Sequence, residues 1–411
     1  MDVVVIGAGA AGLASAIWAG RSGADTLVLD SQVKPGAKIL VSGGGRCNVT
    51  NANMSAERFN SGAREFVARV LDAFPLADTV RWFSDLGVPL LAEADGRMFP
   101  KTNSSRTVLD ALQRGAESAG VRLLTGQNVT GIRPGNPFQI VTKSGEFPAR
   151  SVIICCGGLA LPKSGSTGAG YVLASRLGHT MVATTPALTP LIADPPIHAE
   201  LSGISLPAVL TLREGAKTIA QSRGSLLFTH EGYSGPCALN ISRHAARAQI
   251  ERRDFTMSLR ILPEREFGDL SSLRKAFAGR RSGVNALSEV LPRRVAQWVC
   301  RYAGVEADTV SRALSRNACQ RLWSACADLV LPPLTPAGYR TAEVTAGGVR
   351  LDEVDPATMM SRIVPGLFFG GGGVGRGRGT GRLQLSVGVE RRRGCRPRRR
   401  PMGSLTPLNL L

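Results

Sequence analysis

Arg46, Cys47 and Asn48 close a glycine run, Ser42-Gly43-Gly44-Gly45, and place a fixed cation, a weak acid and an amide side by side. A thiol can protonate a carbon beside one that has taken a hydride. A guanidinium can stabilise an enolate-like negative charge. An amide can hydrogen-bond the edge of a ring. These three residues are therefore the candidate catalytic set. The plain alternative has Cys47 as a small packing residue and Arg46 in a phosphate contact or a salt bridge. Cys155-Cys156-Gly157-Gly158 is a second cysteine–glycine stretch. Its thiols read as buried small side chains at a strand end rather than a redox pair, because adjacent cysteines bond to each other only with strain.

None of these side chains carries electrons, so the elements upstream must hold something that does. Val3–Ile6 reads as an apolar strand, followed by the turn Gly7-Ala8-Gly9-Ala10-Ala11-Gly12, a small-residue helix and a second strand ending at Asp30. In that order Gly7 permits the tight turn, Gly9 admits a pyrophosphate to the backbone, and Gly12 lets helix and strand pack closely. The pyrophosphate would rest on the helix N-terminus, and Asp30 would accept hydrogen bonds from a ribose hydroxyl. A dinucleotide is implied. The second glycine loop at 42–45 lies too close to the first to serve a nicotinamide dehydrogenase, and it suits the longer FAD. The residues expected to line FAD are Gly7, Gly9, Ala10, Ala11, Gly12, Asp30, Ser31, Lys38, Ser42, Gly43, Gly44, Gly45, Arg46, Val129, Cys156, Gly157, Gly158 and Gly371.

Further stretches sharpen the reading: Leu161-Pro162-Lys163-Ser164-Gly165-Ser166-Thr167-Gly168-Ala169-Gly170-Tyr171, Leu227-Phe228-Thr229-His230-Glu231-Gly232-Tyr233-Ser234-Gly235-Pro236, and Thr345-Ala346-Gly347-Gly348-Val349. With these the chain, from residue 2 to about 370, resembles the BaiN-type (aminoacetone-oxidase-like) NAD(P)/FAD-dependent oxidoreductases. The resemblance implies reduction of unsaturated bonds. The family includes an enzyme that reduces a uridine of large-subunit ribosomal RNA to dihydrouridine, and others that reduce small unsaturated molecules. Ala169 departs from the family, which carries an acid at that position.

The expected fold class is α/β: a Rossmann-like FAD-binding domain with an inserted β-barrel-like domain and a small helical cap. The FAD domain takes 1–185 and 341–370, with helical stretches near 56–86 and 105–120. A meander of Val121–Leu124, Val129–Ile132 and Phe138–Thr142 precedes the return strand Ser151–Cys155. Turn-punctuated alternation over 186–262, with 329–340, reads as the β insert. Within 263–328 the period turns helical, with Leu287, Val290, Leu291, Val295, Trp298, Val299 and Tyr302 on one face. His230 reads as a loop histidine, a proton relay or a structural hydrogen bond. His179, His198 and His244 read as surface or capping residues.

At 411 residues and 43% hydrophobic, the chain has material for two or three domains. No apolar run reaches membrane-spanning length, and the first strand starts at residue 2, ahead of which no signal peptide is expected. The eight cysteines show no metal-ligand spacing, so no metal is expected and the thiols read as reduced in a cytoplasm. The net charge is +19. Residues 371–411 hold ten arginines against one acid, which leaves +10 on the rest. A body that basic suits an RNA partner, since phosphate contacts dominate such affinity; a generically basic surface is the alternative.

Residues 371–411 form an aberrant Gly/Arg-rich tail. The family continues here with a pattern like GEVLDVDG and a closing helix. Gly375-Arg376-Gly377-Arg378 can be encoded GGA CGT GGA CGG, which one base later reads GAC GTG GAC GG, or Asp-Val-Asp-Gly. A one-base shift near codon 370 accounts for this, and a basic nucleic-acid arm is the other reading.

The expected activity is FAD-dependent reduction of a C=C bond, with NAD(P)H as a transient donor and ribosomal RNA uridine or a small unsaturated molecule as substrate. Oxidase or reductase action on a small metabolite is the alternative. A non-catalytic flavin- or RNA-binding protein, or an inactive frameshifted product, are rivals of another class.

Overall fold

The computed structural model describes residues 1–371 except 60–63, 265–266, 278 and 307, and beyond these the paired backbone strands Leu385–Val389 and Leu405–Asn409. The expectation of a missing closing helix falls otherwise outside the described residues. The chain divides into two compact units: Met1–Thr184 with the segment from Val344 on, and Thr185–Glu343.

The first unit is built on a five-stranded parallel sheet. Strand β1 (Val3–Ile6) is buried along its whole length, as a continuous apolar run must be when helices cover both faces. Helix α1 (Ala10–Arg21) follows, its alanines buried, and leads to β2 (Thr26–Leu29). Then come β3 (Arg122–Leu124) and β4 (Ser151–Ile154). The order across the sheet is Leu367–Phe369, β4, β1, β2, β3. The chain thus steps one way from β1 and later returns on the other side of it. Val3 pairs with Thr26 of β2 and with Ser151 of β4. Such a switch point leaves a crevice at the carboxyl ends of the two central strands, where ligands of open α/β sheets bind.

Two expectations change here. Residues 122–124 do not belong to the meander; they form the edge of the parallel sheet beside β2. The third meander strand is Gly145–Ala149, which pairs with Phe138–Thr142; its glycine and proline hide it from a propensity reading. A small antiparallel sheet of Thr50–Asn51, Leu90–Ala92 and Arg97–Pro100 also has no sequence signature of its own.

The second unit carries a seven-stranded antiparallel sheet around β5 (Ser205–Glu214), β6 (Lys217–Phe228) and β7 (Thr256–Arg260). Its two edge strands, Leu329–Val330 and Leu334–Pro336, are separated by only residues 331–333. So short a link spans at most about 14 Å, which requires the sheet to curl. The helices α2 (Arg293–Tyr302) and α3 (Arg316–Ala327) share one apolar core with this sheet, through Leu210, Leu259, Val295, Trp298, Val299 and Leu322. Pro292 caps α2 and separates it from the helix Gly283–Leu287. Tyr302, expected on the buried face, is 52% exposed.

Candidate functional site

The turn after β1 is shaped by what a side chain would strike. Gly7 has φ +104°, and a Cβ there would lie 2.6 Å from the Cys155 carbonyl oxygen. A Cβ on Gly12 would lie 1.8 Å from the Gly7 carbonyl oxygen. Gly9 differs: a Cβ there would meet nothing within 4 Å. Protein packing explains two of the glycines and leaves the middle one facing open space. Gly9 is the N-cap of α1, and no side chain caps that terminus. The first amides of the helix, including those of Ala10, Ala11 and Gly12, therefore lack intrahelical partners and favour an anion.

Asp30 stands just past β2, 8% exposed. Its Oδ2 accepts the N–H of Ala8 at 2.5 Å and its Oδ1 that of Gln32 at 2.7 Å. A carboxylate has about four acceptor positions, so Asp30 holds the turn and keeps capacity for a ligand hydroxyl. The N–H of Gln127 donates to the Asp30 carbonyl, which brings the segment leading to Val129 alongside. Ser31 is exposed next to it.

The second glycine loop lies in left-handed conformation: φ is +57° at Gly43, +69° at Gly44 and +85° at Gly45. Cys47 follows at +62°, a strained value for a residue with a Cβ. The loop is closed by the Cys47 N–H donating to the Ser42 carbonyl and the Val49 N–H to that of Met98. The structure departs from the chemistry assigned to two of its residues. Arg46 is ion-paired to Glu93 at 2.7 Å and lies over the Phe99 ring, 3.9 Å from its centroid. The small antiparallel sheet supplies Phe99 and borders Glu93, whose carboxylate Arg46 shares with Arg97. Cys47 has no exposed surface, and burial pushes its thiol up to about 11. Its side chain packs behind the loop. Asn48 keeps a place in the site. Its Oδ1 is buried and meets no donor among the described residues.

Lys38 supplies a cation. Its Nζ donates to the Ala160 carbonyl at 2.8 Å, and burial lowers its pKa to about 8. That contact ties the region of the glycine loop to the loop after β4. The latter loop is held by Thr345, whose Oγ1 accepts the N–H groups of Leu159 and Ala160 at 2.8 and 3.0 Å. A Cβ on Gly158 would lie 2.5 Å from the same oxygen. Sequence reasoning gave Thr345 no role; the Thr-Ala-Gly-Gly string was its only signal. Gly157 has φ +69°, Cys156 is half-buried with Sγ 3.6 Å from the Ile6 carbonyl, and Gly371 has φ +74° past the last strand of the sheet. A Cβ on Gly165 would lie 2.9 Å from Gln32, so the 161–168 turn passes beside Asp30. The structure thus brings together the 7–12 turn, Asp30, Lys38, the 42–48 loop and the 157–165 turn.

The histidines differ from expectation. His179 and His198 are buried, at 4% and 3% exposure. His179 bridges Glu353 at 3.0 Å and Ser361 at 2.8 Å, and His198 meets the Tyr233 hydroxyl at 2.6 Å. Burial lowers His198 and His244 to about 4. His230 is exposed.

The profile of the HI0933-like protein Rossmann domain matches residues 1–375. The chain is 31% identical over 376 residues to a 3-dehydro-bile acid delta(4,6)-reductase of Clostridium scindens, covering 89% of this chain and 91% of the relative. It is 31% identical over 374 residues to a ribosomal RNA dihydrouridine synthase of Escherichia coli, covering 90% of each. A protein of the same name from Haemophilus influenzae is 29% identical, again over 90% of each chain.

The chain belongs to the HI0933-like family. It is a flavin-dependent oxidoreductase with a Rossmann-like fold. The residues present fit FAD: open space at Gly9, uncapped helix amides, spare acceptor capacity on Asp30 and an unpartnered amide oxygen on Asn48. No group of described side chains could hold a metal ion, and no described helix is long and apolar enough to cross a membrane. The seven described cysteines are free thiols.

Proposed function

We propose that this protein uses FAD to reduce an activated C=C bond, with NAD(P)H docking transiently as the electron donor and a uridine of ribosomal RNA as the substrate. The reading places the enzyme in the cytoplasm. The observation that carries the cofactor assignment is the buried, unpartnered Oδ1 of Asn48. Leaving such an atom without a donor costs about 1–3 kcal/mol, which a ring N–H would relieve. Bound FAD supplies the hydride. The α1 amides and Lys38 hold the anionic diphosphate, and Asp30 takes a ribose hydroxyl. With Arg46 paired to Glu93, Lys38 is the cation of this reading. Cys47 keeps its proton and fixes the loop from behind.

RNA is favoured as substrate by the two relatives named for ribosomal RNA dihydrouridine synthesis and by the positive charge of the first 370 residues. The bile acid reductase, equally similar, favours a second reading in which the substrate is a small unsaturated molecule. Purified protein loaded with FAD is mixed with NADPH or NADH without air, then with large-subunit ribosomal RNA. Bleaching of the flavin followed by a gain of two hydrogens on one uridine is the expected result. Bleaching with the RNA unchanged and an unsaturated steroid reduced moves the assignment to the second reading. No bleaching by either nicotinamide overturns the donor.

A further inference from the structure

Both main-chain polar groups of Ala160 are held by side chains from distant parts of the chain. Its N–H donates to Thr345 Oγ1 at 3.0 Å, across 185 residues of sequence. Its carbonyl accepts the Lys38 ammonium at 2.8 Å, across 122 residues. The N–H of Leu159 donates to the same Thr345 oxygen at 2.8 Å. A hydroxyl oxygen has two lone pairs, so these two amides use all of its accepting capacity. The next residue, Leu161, has φ +54°, a strained value for a residue with a Cβ. Such a conformation persists only where its surroundings over-determine it.

Both ends of this relay are anchored. Thr345 belongs to the strand Val344–Val349. Gly347 of that strand has φ +93°, and a Cβ there would lie 2.6 Å from the Ala183 carbonyl oxygen, so the strand lies directly against the Ala183 backbone. Lys38 sits in the short helix Ala37–Val41, where the Leu40 carbonyl accepts the Ser105 hydroxyl at 3.0 Å. The helix fixes the root of the lysine and the Ala160 carbonyl fixes its tip. Only two torsions separate the Ala160 amide from its carbonyl, so a pinned amide aims the carbonyl. An ammonium has three donors; one meets Ala160 and two remain for an anion.

We propose that Thr345 is a positioning residue of the flavin site. By accepting the Leu159 and Ala160 amides it aims the Ala160 carbonyl at Lys38, and so sets where that ammonium meets the cofactor's diphosphate, a placement that rests on the reading of Lys38 as the diphosphate's cation. A Thr345 that merely stabilised the fold would leave Lys38 unaffected once the protein is folded.

Thr345→Val removes the acceptor and keeps the shape, whereas Thr345→Ser keeps the acceptor and removes the methyl group. Trace acetylation of FAD-free protein over a range of pH, mapped by mass spectrometry, reads the titration of each lysine separately. Lys38 should titrate at about 8 in the wild type and in Thr345→Ser, and move up toward its ordinary 10.5 in Thr345→Val, with the other lysines unmoved. FAD affinity should fall about tenfold in Thr345→Val, the scale of one charge-assisted hydrogen bond. In a Lys38→Met background the same change should cost no further affinity, because its effect runs through Lys38. A folded Thr345→Val protein in which Lys38 still titrates at about 8 overturns the proposal, as does full additivity of the two substitutions in FAD affinity. Should Thr345→Val not fold, Thr345→Ser decides: an unmoved Lys38 supports the oxygen as the positioning atom, and a raised Lys38 overturns it. If Lys38→Met binds FAD as tightly as the wild type, the reading of Lys38 is what has failed, and the labelling still decides the coupling to Thr345.

Discussion

The ammonium of Lys38 touches the carbonyl oxygen of Ala160 at 2.8 Å, and burial holds its pKa near 8. In the unfolded chain the same group keeps its ordinary value, 10.5. Between those values the unfolded state binds more protons at this group, so Lys38 by itself contributes stability to the FAD-free protein that rises with pH from about 8 to 10.5, against the opposite trend of the buried thiols. Below pH 8 both states are charged and the slope vanishes. Lys38→Met should lack this rise. Thermal melts across that range, wild type against variant, check it; parallel curves would remove Lys38 as the source.

Gly9 and Gly12 should respond in opposite ways to a methyl group. Gly12→Ala drives a Cβ to 1.8 Å from a carbonyl oxygen and should prevent normal folding. Gly9→Ala meets no protein atom and should fold with an unchanged melting temperature, yet lose FAD affinity by more than tenfold. Flavin retained through desalting is the measurement, and a Gly9→Ala protein that stays fully yellow would place the diphosphate elsewhere.

Asn48→Ala should separate folding from binding. Removing a buried oxygen that lacks a donor should leave the FAD-free protein as stable or more so, by up to about 1 kcal/mol. The same change should weaken FAD binding about tenfold. Chemical denaturation and flavin titration read the two effects; a loss in both would assign Asn48 to the fold.

Acid should weaken the protein before most carboxylates titrate. Burial depresses His179, His198 and His244, so the unfolded state takes their protons first as pH falls below about 6.5. Glu353 is also depressed, held by hydrogen bonds from Thr180 and His179; its contribution disappears at lower pH. Stability should therefore fall from about pH 6.5 to 4, and His198→Phe should flatten the curve. Melting temperature against pH gives the answer.

Restoring the frame near codon 370 should yield a chain that binds flavin more tightly and aggregates less than the chain as written. Resequencing codons 360–411 and expressing both versions checks this; equal flavin content would favour the basic-arm reading of the arginines.

The glycine turn, the acid after β2 and the doubled glycine loop were legible because each is a local demand on backbone. A tight turn, a close approach or a left-handed residue needs glycine at a fixed place in the chain, and β1 and β2 announce themselves as continuous apolar runs. Sequence could not show what partners the polar side chains would find. Glu93 is 47 residues from Arg46, and only the small sheet that carries Phe99 brings them into an ion pair. Thr345 is nearly two hundred residues from the loop it pins. The same holds for the burial of Cys47 and His179. Local conformation is written in short stretches of chain; solvent exposure and charge pairing are set by contacts between distant ones.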